Sequence, residues 1–286
     1  HSADAEENIM DGTTVGTDYR TLKLEPYNPS IGATVSNIDL TQPLTDQELT
    51  ELKRAFIEYQ VLFFRDQKIS HDDHARLAEY FGTIGQHVGK KTNSQESEDP
   101  RVRKFYASGD VPRVSGNLWH TDQSCAPVPP MASILYLHTI PDNGGGDTGY
   151  ASMYAAYDAL SERMKVHLEG LTAVHEGKHQ FGDGTPDAVH PVVARHPVSG
   201  RKLLYVNPAF TIKINDVSYQ ESEALLKFLY AHCLHEEWTT RFKWAPHSIA
   251  FWDNRCVWHR AIGDYLPQVR SGFRVQIEGE APPVMA

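Results

Sequence analysis

A chain of 286 residues with a formal net charge of −10 offers no overall electrostatic attraction to nucleic acid or to an anionic membrane. Its 40% hydrophobic and 22% charged residues are typical of a globular protein with a substantial core, which excludes a disordered chain. Three widely spaced cysteines favour a reducing, cytoplasmic location, and no apolar run is long enough to span a membrane. We predict one domain over residues 19–286, preceded by a polar stretch, 1–18, that is a disordered tail, a trimmed product or an expression remnant.

The N-terminal third alternates between strand and helix patterns. Both predicted helices begin at a residue suited to capping, Thr45 and Ser70, and Glu48 completes a capping box with Thr45. The predicted elements are a strand over Thr21–Tyr27, a helix from Thr45 to Tyr59, a strand over Val61–Arg65 and a helix from Ser70 to Gly82. The polar stretch 83–116 that follows is predicted to be a long loop, of the kind that often carries function.

From Leu118 onward, short apolar runs separated by Gly and Pro turns predict a sandwich or jelly roll, so the chain as a whole is mostly β. Two helices interrupt this pattern, one over Ser152–Gly170 and one that begins at a capping box formed by Ser218 and Glu221. We expect both helices to pack outside the sheets. The Gly-rich stretch 177–188 is a candidate mobile lid.

The stretch "LWHTDQS" contains the pair His120 and Asp122, whose side chains would leave the same face of a strand and so could hold one metal ion. Similar pairs that begin at His71 and His167 lie in predicted helices, where residues two apart point about 200° from one another. The pair at His235 lies where a helix ends. Taken alone, such a pair is more often a polar patch on a strand than a metal site.

A third ligand makes the metal interpretation more specific. An Fe(II) site that activates dioxygen uses two His and one carboxylate on one face of the ion, and leaves the other face open. His259, at the end of an apolar β run far along the chain, supplies the second imidazole, and Arg270 and Arg274 follow it.

Six motifs connect these residues with the rest of the chain, namely "YQVLFFRDQ", "FGTIG", "WHTDQS", "GGDTGYASMYAAYDALS", "HPVSGRKLLYVN" and "WDNRCVWHRAIGDY". In these motifs the chain resembles the taurine dioxygenase family of Fe(II)/2-oxoglutarate-dependent oxygenases, and especially its aryloxyalkanoate herbicide dioxygenase branch. The resemblance covers nearly the whole length after the tail. It implies a double-stranded β-helix (jelly roll) core with peripheral helices, the use of Fe(II), 2-oxoglutarate and O₂, and a homodimer or homotetramer.

The resemblance also implies roles for single residues. By position, His120, Asp122 and His259 correspond to the family's iron ligands, and Thr148 and Arg270 to the residues that hold the remote carboxylate of 2-oxoglutarate. A guanidinium suits that carboxylate because it donates two parallel, charge-assisted hydrogen bonds. The alternatives are an exposed sheet arginine for Arg270 and a turn hydroxyl for Thr148.

On the substrate side, His87 corresponds to a histidine of the family's substrate pocket, and Arg274 to the residue that meets the substrate's acidic group. Strand alternation predicts that Arg270 and Arg274 share a face. Without the resemblance, His87 could be a loop histidine with no role. Where the taurine enzyme has a tyrosine this chain has Lys90, followed by Lys91, so taurine itself is doubtful. The two lysines either recognise a second carboxylate or form a solvated loop, which we favour.

The expected function is hydroxylation of a small acidic substrate, a carboxylate, sulfonate or sulfate, with succinate and CO₂ as coproducts. Asp122 favours hydroxylation over halogenation, because related halogenases carry Gly or Ala at that position so that halide can bind the iron. A hydroxylated carbon bonded to a heteroatom leaving group would collapse to a carbonyl compound and a released anion. Two alternatives are a metal-dependent hydrolase with the same ligands and a non-catalytic jelly-roll module that binds a small acid as a sensor or carrier.

Overall fold

The computed structural model describes residues 19–89, 97–109 and 115–286. The predicted tail and Lys90 therefore lie outside the described residues. No helix within the described ranges is long and apolar enough to cross a membrane.

The strands and helices follow the chain in the order that the sequence patterns suggest. The strands are β1 Lys23–Pro26, β2 Ala33–Ser36, β3 Val61–Phe64, β4 Arg103–Ala107, β5 Ala132–Thr139, β6 Thr148–Ser152, β7 Thr172–Glu176, β8 Asp187–Pro191, β9 Val193–Arg195, β10 Lys202–Leu204, β11 Thr211–Ile214, β12 Thr239–Phe242, β13 Ser248–Asp253, β14 Val257–Ala261, β15 Arg270–Ile277 and β16 Val284–Met285. The helices are α1 Asp46–Tyr59, α2 His71–Glu79, α3 Met153–Asp158, α4 Glu162–Leu168, α5 Lys178–Phe181 and α6 Tyr219–His232.

The strands build the predicted jelly roll. Its larger wall is a seven-stranded sheet in the order β1-β2-β3-β13-β5-β15-β4, in which only the β2–β3 pair is parallel. The sheet β12-β6-β14 packs against this wall, and two further three-stranded sheets, β11-β7-β8 and β10-β9-β16, complete the β structure of the described residues. The cavity described below lies between these layers.

The central strands of the larger wall are buried on both faces, which explains their continuous apolar runs. In β3, Val61 and Phe63 point into the core between the sheets, whereas Leu62 and Phe64 point toward α1 and α2. Phe56 of α1 stacks on Phe251 of β13 with ring centroids 4.3 Å apart. The two N-terminal helices therefore cover the outer face of the wall, as expected of peripheral helices.

The helix starts that depend on local capping are confirmed. Thr45 and Ser218 each form a capping box with the glutamate three residues later, and Ser70 caps α2 through the backbone N–H of Asp73.

Two of the predicted elements were wrong. The stretch predicted as a long loop, 83–116, contains β4, which pairs with β15 at the edge of the larger wall. The helix predicted over Ser152–Gly170 is interrupted, because Ser161 caps a new helix through the backbone N–H of Met164. The candidate lid, 177–188, contains the short helix α5 and the start of β8, and its mobility stays a prediction.

Candidate metal and cosubstrate site

Three side chains from distant parts of the sequence meet at one wall of a cavity. His120 and His259 are joined by a two-residue antiparallel bridge, in which each backbone N–H donates to the other's carbonyl, at 3.1 and 2.9 Å. Their Nε2 atoms lie 3.5 and 3.6 Å from Oδ1 of Asp122. One donor atom from each of the three residues lies within 4.8 Å of the others. The structure thus brings the three predicted ligands together.

The backbone around Asp122 differs from the prediction. His120 forms only an isolated bridge, and Asp122 lies in a turn rather than on a regular strand. Asn254, which follows β13, fixes this turn: its Oδ1 accepts from the N–H of Asp122 at 2.6 Å, and its Nδ2 donates to the carbonyl of Asp122 at 2.9 Å. Sequence reasoning missed Asn254, although it stands in the quoted motif "WDNRCVWHRAIGDY".

The second carboxylate oxygen of Asp122 is held from the other side. Oδ2 accepts hydrogen bonds from Ser133 of β5, at 2.8 Å, and from Nη2 of Arg274. Burial opposes ionisation of this carboxyl, but the charge of Arg274 outweighs it and holds the pKa of Asp122 well below its usual range. Asp122 is therefore an anion at neutral pH, as a metal ligand must be.

Both imidazoles direct Nε2 toward the carboxylate. His120 Nδ1 lies 2.7 Å from the carbonyl of Leu118, so this nitrogen carries the proton and Nε2 is free to bind a metal. Burial and the adjacent His120 lower the pKa of His259 well below its usual range, which keeps its imidazole neutral. Neighbouring ligands of an octahedral ion with bonds of about 2.1 Å lie about 3 Å apart. Small side-chain adjustments would bring the observed distances to that value, so the three residues fit a divalent metal.

A second cluster of candidate metal ligands, His196, Asp253 and Cys256, does not fit a metal. His196 Nε2 is hydrogen-bonded to Asp253 Oδ2 at 2.9 Å, and both oxygens of Asp253 accept from Arg255 at 2.8 Å. His196 Nδ1 accepts backbone N–H groups. Because the lone pairs are already used, we interpret this cluster as structural.

Arg270 and Thr148 form a polar end of the cavity. Arg270 is 2% exposed, and its Nη2 donates to Thr148 Oγ1 at 3.2 Å. Trp244 Nε1 donates to the same oxygen at 2.9 Å, so the hydroxyl proton of Thr148 remains available for an acceptor in the cavity. Nε of Arg270 has no hydrogen-bond partner among the described residues.

A buried guanidinium in this setting needs an anion. Burial lowers the pKa of Arg270 to about 10, which still leaves a full charge at neutral pH. Phe105 and Trp244 lie against the guanidinium, with ring centroids 5.0 and 5.4 Å from Cζ, and no carboxylate of the described residues is hydrogen-bonded to it. Gly146, at φ +84°, leaves the space that Arg270 occupies, because a Cβ there would lie 3.1 Å from Arg270 Cδ. The carboxylate of an organic acid suits this end of the cavity.

These groups share one cavity of about 600 Å³. Asp122 supplies the only carboxylate among the described residues that line it. The basic side chains of its lining are Arg101, Arg103, Lys104, Arg270 and Arg274. The excess of positive charge favours anionic ligands, although the whole chain is acidic. Both Arg270 and Arg274 line the cavity, as strand alternation predicted.

His87 reaches the same cavity from the loop after α2. Its Nδ1 accepts the N–H of Gly89 at 2.8 Å, which places its proton on Nε2, and its ring lies edge-on to Phe181 of α5 at 5.0 Å. Burial, followed by Arg103 and Arg274, lowers the pKa of His87 to about 3, so the ring is a neutral donor. Phe181 and Phe210 form an apolar wall, with ring centroids 5.6 Å apart, that continues to His120 at 6.4 Å from Phe210.

Comparisons with known proteins agree with this geometry. The family model described as "Taurine catabolism dioxygenase TauD, TfdA family" matches residues 23–276. The chain is 32% identical to the α-ketoglutarate-dependent sulfonate dioxygenase of Saccharomyces cerevisiae, over 91% of this chain and 68% of that protein. It is also 32% identical to the α-ketoglutarate-dependent 2,4-dichlorophenoxyacetate dioxygenase of Cupriavidus pinatubonensis, over 82% of this chain and 90% of that protein. A crystal structure of AAD-2 in complex with Mn(II) and N-oxalylglycine superposes with a TM-score of 0.78 at 29% identity, and the match covers 93% of this chain and all of that one.

Proposed function

Because the chain belongs to the TauD/TfdA family of Fe(II)- and 2-oxoglutarate-dependent dioxygenases, we propose that it hydroxylates a small organic acid and releases succinate and CO₂ as coproducts. The predicted family, fold and cofactors are confirmed. Family membership also sets aside the hydrolase and the non-catalytic module as alternatives. The proposal concerns the residues that act and the substrate that they select.

We assign Fe(II) to His120, Asp122 and His259. The observation that carries this assignment is the convergence of their donor atoms within 4.8 Å at the wall of a cavity. Bound iron, with 2-oxoglutarate and O₂, supplies the oxidising chemistry, and the protein supplies position and environment. The carboxylate at position 122 supports hydroxylation rather than halogenation, as the sequence predicted.

Arg270 and Thr148 then bind the remote carboxylate of 2-oxoglutarate. The buried guanidinium supplies charge-assisted hydrogen bonds, and the hydroxyl of Thr148, which already accepts two N–H groups, donates its proton. Both groups are held before the cosubstrate arrives, so little conformational entropy is lost when it binds.

The substrate's acidic group binds to Arg274 and to the Nε2–H of neutral His87. The apolar wall of Phe181 and Phe210 contacts the organic body of the substrate and excludes water from the reacting carbon. The names of the relatives, a sulfonate dioxygenase and a 2,4-dichlorophenoxyacetate dioxygenase, support an acidic substrate. If the hydroxylated carbon carries a heteroatom leaving group, the product separates into a carbonyl compound and an anion. A role for Lys90, the single domain, the cytoplasmic location and a homodimer or homotetramer stay predictions.

A substrate screen tests the proposal. Purified enzyme with Fe(II), 2-oxoglutarate and ascorbate would be given a panel of aryloxyalkanoates, alkanesulfonates, alkyl sulfates and N-acyl amino acids, and succinate release would be measured. We expect one acidic class to raise succinate release well above the substrate-free rate, and uncharged amides of the same skeletons to have no effect. Equal stimulation by acids and amides would contradict the role of Arg274 and His87.

A further inference from the structure

Gln123, the residue after Asp122, combines an unusual backbone conformation with a buried, hydrogen-bonded side chain. It is 2% exposed, and its φ of +50° lies in the left-handed region, which a glutamine rarely adopts. Such a conformation costs free energy and persists only where the surrounding structure requires it. Sequence reasoning did not single out this residue, although it stands in the quoted motif "WHTDQS".

The side chain of Gln123 connects the loop that carries His87 to the larger wall of the jelly roll. Its Oε1 accepts the backbone N–H of Val88 at 2.7 Å. Its Nε2 donates to Oε1 of Gln276, on β15, at 2.6 Å. The two ends of one amide group therefore hold the loop and the wall together at the lining of the cavity.

These hydrogen bonds continue as one chain to the metal-binding carboxylate. Gln276 Nε2 donates to Oγ of Ser133 at 3.2 Å, and Ser133 donates to Oδ2 of Asp122 at 2.8 Å. The direction of the chain is fixed at both ends, because the N–H of Val88 can only donate and the carboxylate of Asp122 can only accept. Each amide between them therefore turns its oxygen toward Val88 and its nitrogen toward Asp122. Hydrogen bonds aligned in this way strengthen one another.

The end of the loop that follows His87 depends on this connection. Before His87, the N–H of Gly85 donates to a backbone carbonyl of β15 at 2.9 Å. After it, Val88 is 36% exposed and Gly89 has no side chain, so apolar burial does not hold this end. The hydrogen bond from Val88 to Gln123 ties it to the body of the protein instead.

We propose that Gln123 is a positioning residue that holds His87 at a fixed place relative to the metal ligand Asp122. This inference rests on the proposed function, in which the Nε2–H of His87 binds the acidic group of the substrate. A donor that is fixed before binding loses little conformational entropy when the ligand arrives. Gln123 therefore raises the affinity for the substrate by acting through His87, and it leaves the affinity for the cosubstrate unchanged.

Amide hydrogen exchange of the full chain, with and without Mn(II) and N-oxalylglycine, tests this inference without a substrate. Gln123→Met keeps the length of the side chain but removes both hydrogen bonds. We therefore expect the peptide that contains residues 84–89 to exchange roughly tenfold faster, as measured by mass spectrometry.

Gln67→Met is the matched control, because it removes a similar pair of hydrogen bonds from a buried glutamine outside the cavity lining. Gln67 Oε1 accepts the N–H of Leu40 at 2.9 Å, and its Nε2 donates to the carbonyl of Ile38 at 3.0 Å. This variant should leave the exchange of residues 84–89 unchanged.

A double-mutant cycle tests whether Gln123 acts through His87. The probe is hexane-1-sulfonate, titrated calorimetrically into enzyme loaded with Mn(II) and N-oxalylglycine. We expect Gln123→Met to weaken its binding by roughly three- to tenfold and to leave the affinity for N-oxalylglycine unchanged. In His87→Ala, the further change Gln123→Met should have no effect on hexane-1-sulfonate binding, because the donor that Gln123 positions is gone.

Gln123→Asn carries the test if Gln123→Met does not fold. Asparagine adopts a left-handed φ more readily than glutamine, so the backbone conformation is kept. Its side chain is one methylene shorter and loses at least one of the two hydrogen bonds, so residues 84–89 should again exchange faster.

Three results would overturn the inference. They are unchanged exchange of residues 84–89 in both Gln123 variants, faster exchange spread evenly over the whole chain, and equal weakening of hexane-1-sulfonate binding by Gln123→Met with and without His87. Failure of the proposed function has a different signature, because the unmodified protein would then bind neither N-oxalylglycine nor hexane-1-sulfonate. The exchange of residues 84–89 would still decide whether Gln123 positions His87.

Discussion

Arg274 donates a hydrogen bond to Oδ2 of Asp122, the oxygen that is not directed at the two imidazoles. The same Nη2 also donates to Ser133 Oγ at 2.9 Å, which fixes the guanidinium beside the metal-binding carboxylate. The proposed substrate-binding arginine is thereby placed next to the proposed iron. An acid held by Arg274 must lie near the reacting centre, which is the requirement for positioning one C–H bond for oxidation.

Arg274→Ala should separate substrate binding from cosubstrate binding. We expect the apparent KM for the acidic substrate to rise by roughly ten- to a hundredfold, because a charge-assisted contact is lost, while the affinity for N-oxalylglycine changes little. Steady-state kinetics together with calorimetry give both numbers. An equal loss of affinity for the acidic substrate and for N-oxalylglycine would mean that the roles of Arg270 and Arg274 are misassigned.

Arg270→Ala should show the reverse pattern. The apparent KM for 2-oxoglutarate should rise by roughly ten- to a hundredfold, since the variant loses a buried charge-assisted contact worth about 1.5–3 kcal/mol. Thr148→Val, which removes only the hydroxyl, should raise it by less. Succinate release as a function of 2-oxoglutarate concentration measures both effects. An unchanged apparent KM for 2-oxoglutarate in Arg270→Ala would contradict the binding of its remote carboxylate by Arg270 and Thr148.

Asn254 is predicted to act on the metal through the backbone of Asp122. Asn254→Asp keeps the acceptor for the N–H of Asp122 but replaces the amide donor, so that a carboxylate oxygen faces the carbonyls of Asp122 and Pro130. We expect metal affinity to fall by roughly ten- to a hundredfold, as is typical of residues that support a ligand. Calorimetric titration with Mn(II) measures the change. Thr121→Val, which alters a residue beside Asp122 with a weaker hydrogen bond of 3.3 Å, is the control and should bind Mn(II) nearly normally.

His74 should make the fold sensitive to acid. It is 1% exposed on α2 and hydrogen-bonded through Nε2 to the carbonyl of Ile134, and burial lowers its pKa to about 4. Between pH 6.5 and 4, His74 is protonated in the unfolded chain but not in the folded chain. The free energy of unfolding therefore carries the whole contribution of His74 above pH 6.5 and loses it as the pH drops toward 4. The loss from this residue should approach about 3 kcal/mol. Urea unfolding at several pH values should show that the free energy of unfolding depends less on pH in His74→Gln than in the unmodified protein. The same pH dependence in both proteins would refute this prediction.

Features that depend on neighbours in the sequence were mostly predicted, although the local cap at Ser161, which divides the helix predicted over Ser152–Gly170, was missed. The capping boxes at Thr45 and Ser218 use side chains three residues apart, so the helix starts could be located without the fold. The continuous apolar run Val61–Phe64 indicated a strand, and the structure confirms it as β3.

Features that depend on distant partners were missed. β4 is polar, lies at a sheet edge and is stabilised by pairing with β15, so its sequence looked like a loop. Asn254 acts through hydrogen bonds to Asp122, far away along the chain, which no local pattern reveals. The metal ligands were found because the required combination of side chains is unusual and because the motifs resemble a known family.

The central claim is that His120, Asp122 and His259 hold one Fe(II) beside bound 2-oxoglutarate. Its most direct test is anaerobic addition of Fe(II) and 2-oxoglutarate, monitored by visible absorption. We expect a weak charge-transfer band in the unmodified protein and its loss in His120→Ala, Asp122→Ala and His259→Ala. A band that persists in all three variants, or that never forms in the unmodified protein, would contradict the account.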